Sequence, residues 1–392
     1  MKFFFLCSLM LATSPTRAEL YEGGSHPANF NRIAGMRIMT DFNALPMNGR
    51  LNDDRLGWSE SYWPSNKGGI AYRWSHPNPT PFKYRLHSRE ELLKMDQKAI
   101  GQLSPAELYD ISNSDYNYTL TKRALNLYSP RDLWWEGICH GWAQAAINYP
   151  EPEPVVVTNR DGIKVPFGSS DVKSLLAMHE SYNYKGETFA FAGRRCKVNG
   201  KVEGEGDDRD RPEHRAYPAP ELAESPDCRD VNAGAFHVII SNMLGFLGKG
   251  FVADIDRFND VWNQPITGYQ SQILAEEPVT ASHRAQGIQR RVRIKMDMTY
   301  GEELKFFTPE LAASGAQNFV SKLPVTLTPH QKFLTKNYEY IVEINGSGQV
   351  IGGEWITQTR PDFMWMYARS KNFKNSPIPL SHLRHIYRPL RR

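Results

Sequence analysis

Apolar positions alternate with polar ones in short stretches separated by Gly, Pro and Asn, and only a few segments carry a helical period. Ser104-Pro105-Ala106-Glu107 opens a helix, with a Ser cap, Pro at the first helical position and Glu at the third. A second helix is predicted around Ser88 to Ile100. A third begins at Cys139, because Trp142, Ala143, Ala146 and Ile147 then fall on one face. Val155 to Thr158 and Ile163 to Phe167 flank the turn Asn159-Arg160-Asp161-Gly162 and read as a hairpin, after which Ser169-Ser170-Asp171 caps a helix through Leu175, Leu176 and Met178. Ala235 to Leu244 and Gly250 to Asp256 read as strands joined by the turn GFLGKG. The last third is strand-dominated: Val292 to Met298, Val325 to Thr328, and Tyr338 to Ile344 with Val350 to Trp355 around Asn345-Gly346-Ser347-Gly348. No solenoid-period repeat is visible, and the mixture is α+β.

The 392 residues suffice for a large core, and 40% apolar with 23% charged residues is an ordinary globular balance. A formal charge of +4 is too small for a nucleic-acid footprint. Residues 1 to 18 carry a basic start, an apolar run from Phe3 to Ala12, Pro15, and the small residues Thr16 and Ala18, which is the pattern of a secretory leader. The run is shorter than the roughly 20 residues that cross a bilayer, so the expected mature chain begins near Glu19, with no membrane span, outside the cytosol or in a periplasm. Residues 19 to 102, irregular and rich in Pro, Gly and aromatics, read either as a restraining pro-segment or as a packed subdomain. Residues 103 to 300 form the expected catalytic core and residues 301 to 392 its strand-rich remainder.

Export changes the cysteine arithmetic. Once Cys7 leaves with the leader, Cys139, Cys196 and Cys228 remain. A disulfide between Cys196 and Cys228 would pin the polar insertion 196 to 228, contributing roughly 3.5 to 4 kcal/mol in the chain-entropy model. Cys139 is then the free thiol. At a helix N-terminus its pKa is expected to fall, as a nucleophile requires. Neighbouring His140 lies about 100° round the helix, so the expected base is His237, with Asp254 or Asp256 on the next strand to orient it. A small core cysteine and a satisfied core histidine are the plain alternatives. The backbone N–H of Cys139 is one oxyanion donor, and the Trp135 indole is the candidate for a second. Trp262 reads either as a wall of a water-poor acyl tunnel or as packing. No C-x-x-C or H-E-x-x-H spacing points to zinc, and the acidic cluster Glu203, Glu205, Asp207, Asp208 and Asp210 reads either as a solvated insertion, the favoured reading, or as a Ca²⁺ site without a loop signature.

The segments LSPAELYDI, WWEGICHGWAQAA, AFHVIISNMLG, FVADIDRFNDVWNQPITGY, GGEWI and RPDFMW, in that order over about residues 103 to 366, resemble the secreted transglutaminase elicitor family of oomycetes and bacteria. The resemblance implies a papain-like or transglutaminase-like cysteine acyltransferase core, with the cysteine at a helix N-terminus and His and Asp on antiparallel strands. It implies protein-glutamine γ-glutamyltransferase activity: a Cys139 thioester, His237 and Asp254 completing the triad, protein substrates supplying Gln as acyl donor and Lys as acceptor, and dependence on Ca²⁺. In oomycete members the stretch beginning VWNQP is a surface peptide recognised by plants; here it departs from that peptide at Gln270-Ser271. The competing readings are a secreted papain-like cysteine protease or glutamine amidase on the same triad, and a non-catalytic host-recognition protein.

Overall fold

The computed structural model describes residues 20–52, 57–73, 82–182, 188–194, 230–255, 261–303, 333–368, 373 and 380–390. The expected leader, Cys196, Cys228, the acidic run 203–210, Asp256 and the expected strand 325–328 lie outside them. Among the described residues no helix is long and apolar enough to cross a membrane.

An antiparallel sheet of eight strands organises the described residues. Its order is β4 (Phe189–Gly193), β10 (Phe363–Tyr367), β5 (Phe251–Asp254), β6 (Asn263–Glu277), β7 (Ile288–Gly301), β8 (Phe333–Asn345) and β9 (Val350–Trp355), while β1 (Asn48–Arg50) joins β6 beyond the end of β5. A separate hairpin, β2 (Val155–Thr158) with β3 (Lys164–Phe167), forms around the turn that Asn159 and Gly162 define. The Asn159 side-chain oxygen accepts from the N–H groups of Asp161 and Ile163, and Gly162 takes the φ of +82° that the turn demands.

The helices are α1 (Pro105–Ser112), α2 (Thr119–Leu127), α3 (Cys139–Asn148), α4 (Ser169–Tyr182) and α5 (Ala233–Ile240), with short turns of helix elsewhere. The expected capping box of α1 is present, Ser104 and Glu107 each satisfying the other's backbone N–H. At α4 the Asp171 carboxylate accepts from Gly168 N–H. The helix expected from Ser88 to Ile100 is instead two single turns, Arg89–Leu92 and Gln97–Ile100, because the Asp96 side chain caps the second and ends continuity with the first.

One expected strand is a helix. Ala235 to Leu244 belongs to α5 and to the π-helical turn Ser241–Phe246 that continues it. Every residue from Ala233 to Leu244 is buried, so no polar face marks a period of 3.6 against one of 2. The helix start is signalled by Asn232, whose side-chain oxygen accepts from Gly234 and Ala235 N–H. Gly234 is needed where α5 meets β9, since a Cβ there would stand 2.1 Å from the Gly352 carbonyl oxygen. His237 therefore sits on a helix and not on an antiparallel strand.

Among the described residues two hydrophobic cores form. The sheet-side core joins α5 to β5 through β10; the helical core joins α1, α2, α4, the small hairpin and residues 58–72. Helix α3 belongs to both, giving Ala143 and Ile147 to the first and Cys139, Trp142, Ala145 and Ala146 to the second. Its partner α4 approaches so closely that a Cβ at Gly141 would lie 2.0 Å from Ser181 Oγ and 2.1 Å from the Ala177 carbonyl oxygen. Gly141→Ala is expected to destabilise the protein by about 3 kcal/mol, the cost of overpacking a tight interface. Urea unfolding measures this, and an unchanged midpoint would contradict the packing.

The segment expected as a pro-segment or packed subdomain contributes Trp58, Trp63, Ile70 and Ala71 to the helical core and β1 to the sheet. Its Ser59 and Glu60 join a buried charge cluster. Lys173 Nζ on α4 pairs with Glu151 at 2.7 Å and donates to Ser59 O at 3.0 Å, under the Trp58 ring. Burial pushes the neighbouring Glu60 carboxyl up to about 7 against the pull of Lys173. The folded state thus keeps a proton that the unfolded chain, titrating at 4.5, releases. This group's contribution is complete below pH 4.5 and declines as pH rises to 7, by an amount on the order of 1 to 3 kcal/mol. Glu60→Gln should flatten that decline, with the largest gain in Tm at pH 8; identical pH profiles for the two proteins would refute the assignment.

Candidate active site

The loop before α3 is built to deliver Cys139. Ile138 N–H donates to Tyr62 O at 2.7 Å, Ser65 N–H to Glu136 O at 2.8 Å, and Tyr62 OH to Trp134 O at 2.9 Å. Gly137 lies under the Tyr62 carbonyl, where a Cβ would come within 2.3 Å of its oxygen. Cys139 is the first residue of α3, as its sequence context predicts, and no side chain caps the helix there. Tyr62 and Ser65, within the stretch expected as either a pro-segment or a packed subdomain, are thus part of the wall beside the thiol.

Two cavities near it share wall residues. The larger, about 420 Å³, is lined by Cys139, His140, Asn263, Trp135, Asp132 and Glu136 among others. The second, about 270 Å³, is walled by Phe189, Phe191, Phe363, Trp365 and Tyr367, and shares His140 and Asn263 with the first. Trp262 packs against Tyr62 and Trp134, with ring centroids 5.7 and 5.9 Å apart, as an aromatic layer behind Val261.

Asp254 and Asn263 face each other across the β5–β6 ladder, which brings the carboxylate close enough to act on the Cys139 charge. Asp254 Oδ1 also accepts from Trp262 N–H at 3.3 Å. The Cys139 sulfur donates to Val261 O and receives the Asn263 side-chain N–H₂, both at 3.8 Å. Asn263 Oδ1 in turn accepts from Trp365 Nε1 at 2.7 Å. Asn263 and Trp365 escaped the sequence reading, since β6 and β10 were not assigned as strands, and the first seven positions of β6 are all buried and carry no alternation.

The thiol does not have the lowered pKa expected of a helix N-terminus. Burial, and then the Glu303 carboxylate, push it up to about 12; the Asn263 backbone and side-chain N–H groups pull the other way, and Asp254 adds to the rise. A helix terminus supplies about 0.3 to 1 kcal/mol at a surface, too little to offset desolvation and two carboxylates.

His237 packs with Phe42 and Tyr340 of the sheet-side core, whereas Cys139 belongs to the helical core. The His237 Nδ1 lies 2.9 Å from Tyr340 OH, its ring packs beside Phe42, and burial alone pushes its pKa down to about 4, with no carboxylate acting on it. The imidazole bordering the Cys139 cavity is that of His140, also held neutral by burial, with Ser181 accepting its N–H. Among the described residues no group of three or more His, Cys, Asp or Glu is placed to hold a metal ion.

A thiol with its pKa near 12 should alkylate with a rate that climbs about tenfold per pH unit from pH 6 to 9. Iodoacetamide labelling of the Cys139 peptide, followed by mass spectrometry, checks this; a plateau below pH 8 would show a thiolate at rest.

The comparisons agree in direction. A family model described as transglutaminase elicitor matches residues 131–378. The fold is similar to that of the GP42 transglutaminase from Phytophthora sojae, with a TM-score of 0.60 and 20% identity over 93% of this chain and 97% of that one. None of the curated proteins compared matches the chain.

Proposed function

The chain belongs to the transglutaminase elicitor family, and on that premise we propose that it is a secreted protein-glutamine γ-glutamyltransferase with Cys139 as nucleophile. The observation that carries the reading is the pair of cavities that share His140 and Asn263 as walls, the larger of them lined by Cys139, since a two-substrate acyl transfer needs a place for each partner. The GP42 likeness supports the fold on which such a site is built.

At rest the thiol and imidazole are an uncharged pair. The thiol sulfur bonds to the carboxamide carbon of a substrate Gln while its proton passes to an imidazole, for which His140, about 100° round the helix from Cys139 but in the wall of the same cavity, is the candidate, so that no free thiolate is required. The tetrahedral intermediate collapses, the C–N bond breaks, and ammonia leaves with that proton. A Lys amine then attacks the thioester, forming the isopeptide bond and returning a proton to sulfur. Asp254 stands in the β5 register opposite Asn263 and holds the Trp262 backbone, a positioning role beside the nucleophile. His237, expected from sequence as the base, serves the sheet-side core with Tyr340 in this reading.

The stretch Trp262 to Tyr269 is buried, and from Asn263 onward lies within β6, which disfavours a protein whose task is to display it.

The purified protein, offered a glutamine-rich protein and a fluorescent primary amine, is expected to incorporate label and release ammonia without cutting the acceptor. Cys139→Ala should abolish labelling, His140→Ala should reduce it at least about a hundredfold, and His237→Phe should keep most of it. New N-termini without label would point to a protease, ammonia without label to an amidase. Loss of labelling in a folded His237→Phe with full activity in His140→Ala would return the base to His237.

A further inference from the structure

We infer that Asn263 is a catalytic residue, its side-chain amide supplying the second oxyanion donor, and that Trp365 is the positioning residue that fixes that amide. The inference rests on the acyl-transfer reading above.

The orientation of the amide is chemically enforced. Trp365 Nε1 can only donate, and it lies 2.7 Å from Asn263 Oδ1. Turning the amide over would set two donors against each other in a place where Asn263 is only 6% exposed. The oxygen therefore stays on the indole and the N–H₂ stays on the sulfur. The backbone builds the same arrangement from three neighbouring strands: β10 carries Trp365 beside Val252 of β5, and β5 carries Asp254 beside Asn263 of β6. These strands are fixed by ladder hydrogen bonds, so the donor needs no reorganisation when charge develops.

At rest the amide contacts sulfur. When sulfur bonds to a carboxamide carbon, the carbonyl oxygen on that carbon gains negative charge within the space that Asn263 and the first turn of α3 enclose. The Cys139 backbone N–H, at an N-terminus that no side chain caps, is the companion donor. Asn263 borders both cavities, which places it at the junction where acyl donor and amine must meet. Trp135, the donor proposed from sequence, lines only the larger cavity among the two.

The test uses a chromogenic p-nitrophenyl ester, which acylates a reactive thiol whether or not the acyl group later passes to an amine. Asn263→Ala is expected to lower the single-turnover acylation rate by about 10² to 10³ with little change in ester affinity. Trp365→Phe keeps an aromatic ring and removes the N–H; it should lower the rate about tenfold, and its Cys139 alkylation profile should move to higher pH as the amide loses its orientation. Asn263→Asp, close in size, serves if the alanine variant unfolds; it places a carboxylate against sulfur and should be slower still. Thermal unfolding confirms which variants are folded. If folded variants at Asn263 acylate as fast as the parent, or Trp365→Phe moves neither rate nor pH profile, the inference is overturned. If the parent acylates with the ester but never labels with amines, the transglutaminase reading fails while the donor assignment is still judged by the variants.

Discussion

A helix with almost no face to water governs this molecule. From Gly141 to Asn148 every residue of α3 is buried, because one side meets the sheet and the other meets the helical layer. Such a helix needs side chains that are small where a neighbour is close and large where it is not. Gly141, Ala143, Ala145 and Ala146 meet the first need and Trp142 the second, its indole N–H satisfied by Trp58 O at 3.1 Å. Because the two cores press on α3 from opposite sides, its first residue has little freedom of position. That is a suitable mount for a reacting atom, whose partners must be placed to within fractions of an ångström.

The same burial sets the electrostatics. A thiol, an imidazole and several carboxylates gathered at low dielectric cannot all carry charge, so the resting site keeps the Cys139 and His140 protons where neutrality puts them. Selectivity between sulfur protonation states then falls to hydrogen bonds: Val261 O holds the thiol proton, and the Asn263 N–H groups favour the thiolate. The far cluster of Lys173, Glu151 and Glu60 obeys the same rule, with two carboxyls around one ammonium and one of them raised toward neutrality.

What was legible in the sequence was local. Ser104 with Glu107, Asn159 with Gly162, and Gly137 through Trp142 each act within a few residues, and each occurs where expected. The placement of Cys139 at a helix start was legible for that reason, whereas its raised pKa was not, since burial is a property of the assembled cores. Ala235 to Leu244 misled because an apolar run buried on all sides carries no period, and the misreading moved His237 from a helix to a strand. The contact between Asn263 and Trp365 joins residues far apart in the chain through β5, and nothing near either residue announces it.

The first half of β6 has one further consequence. Asn263 to Ile266 is laddered to β5, and from Ile266 the strand is laddered to β7 as well. A receptor that reads a linear peptide needs those backbone groups and side chains for itself. It would find them only after the sheet has been opened or the chain cut, so its signal would report the breakdown of this protein and not its abundance.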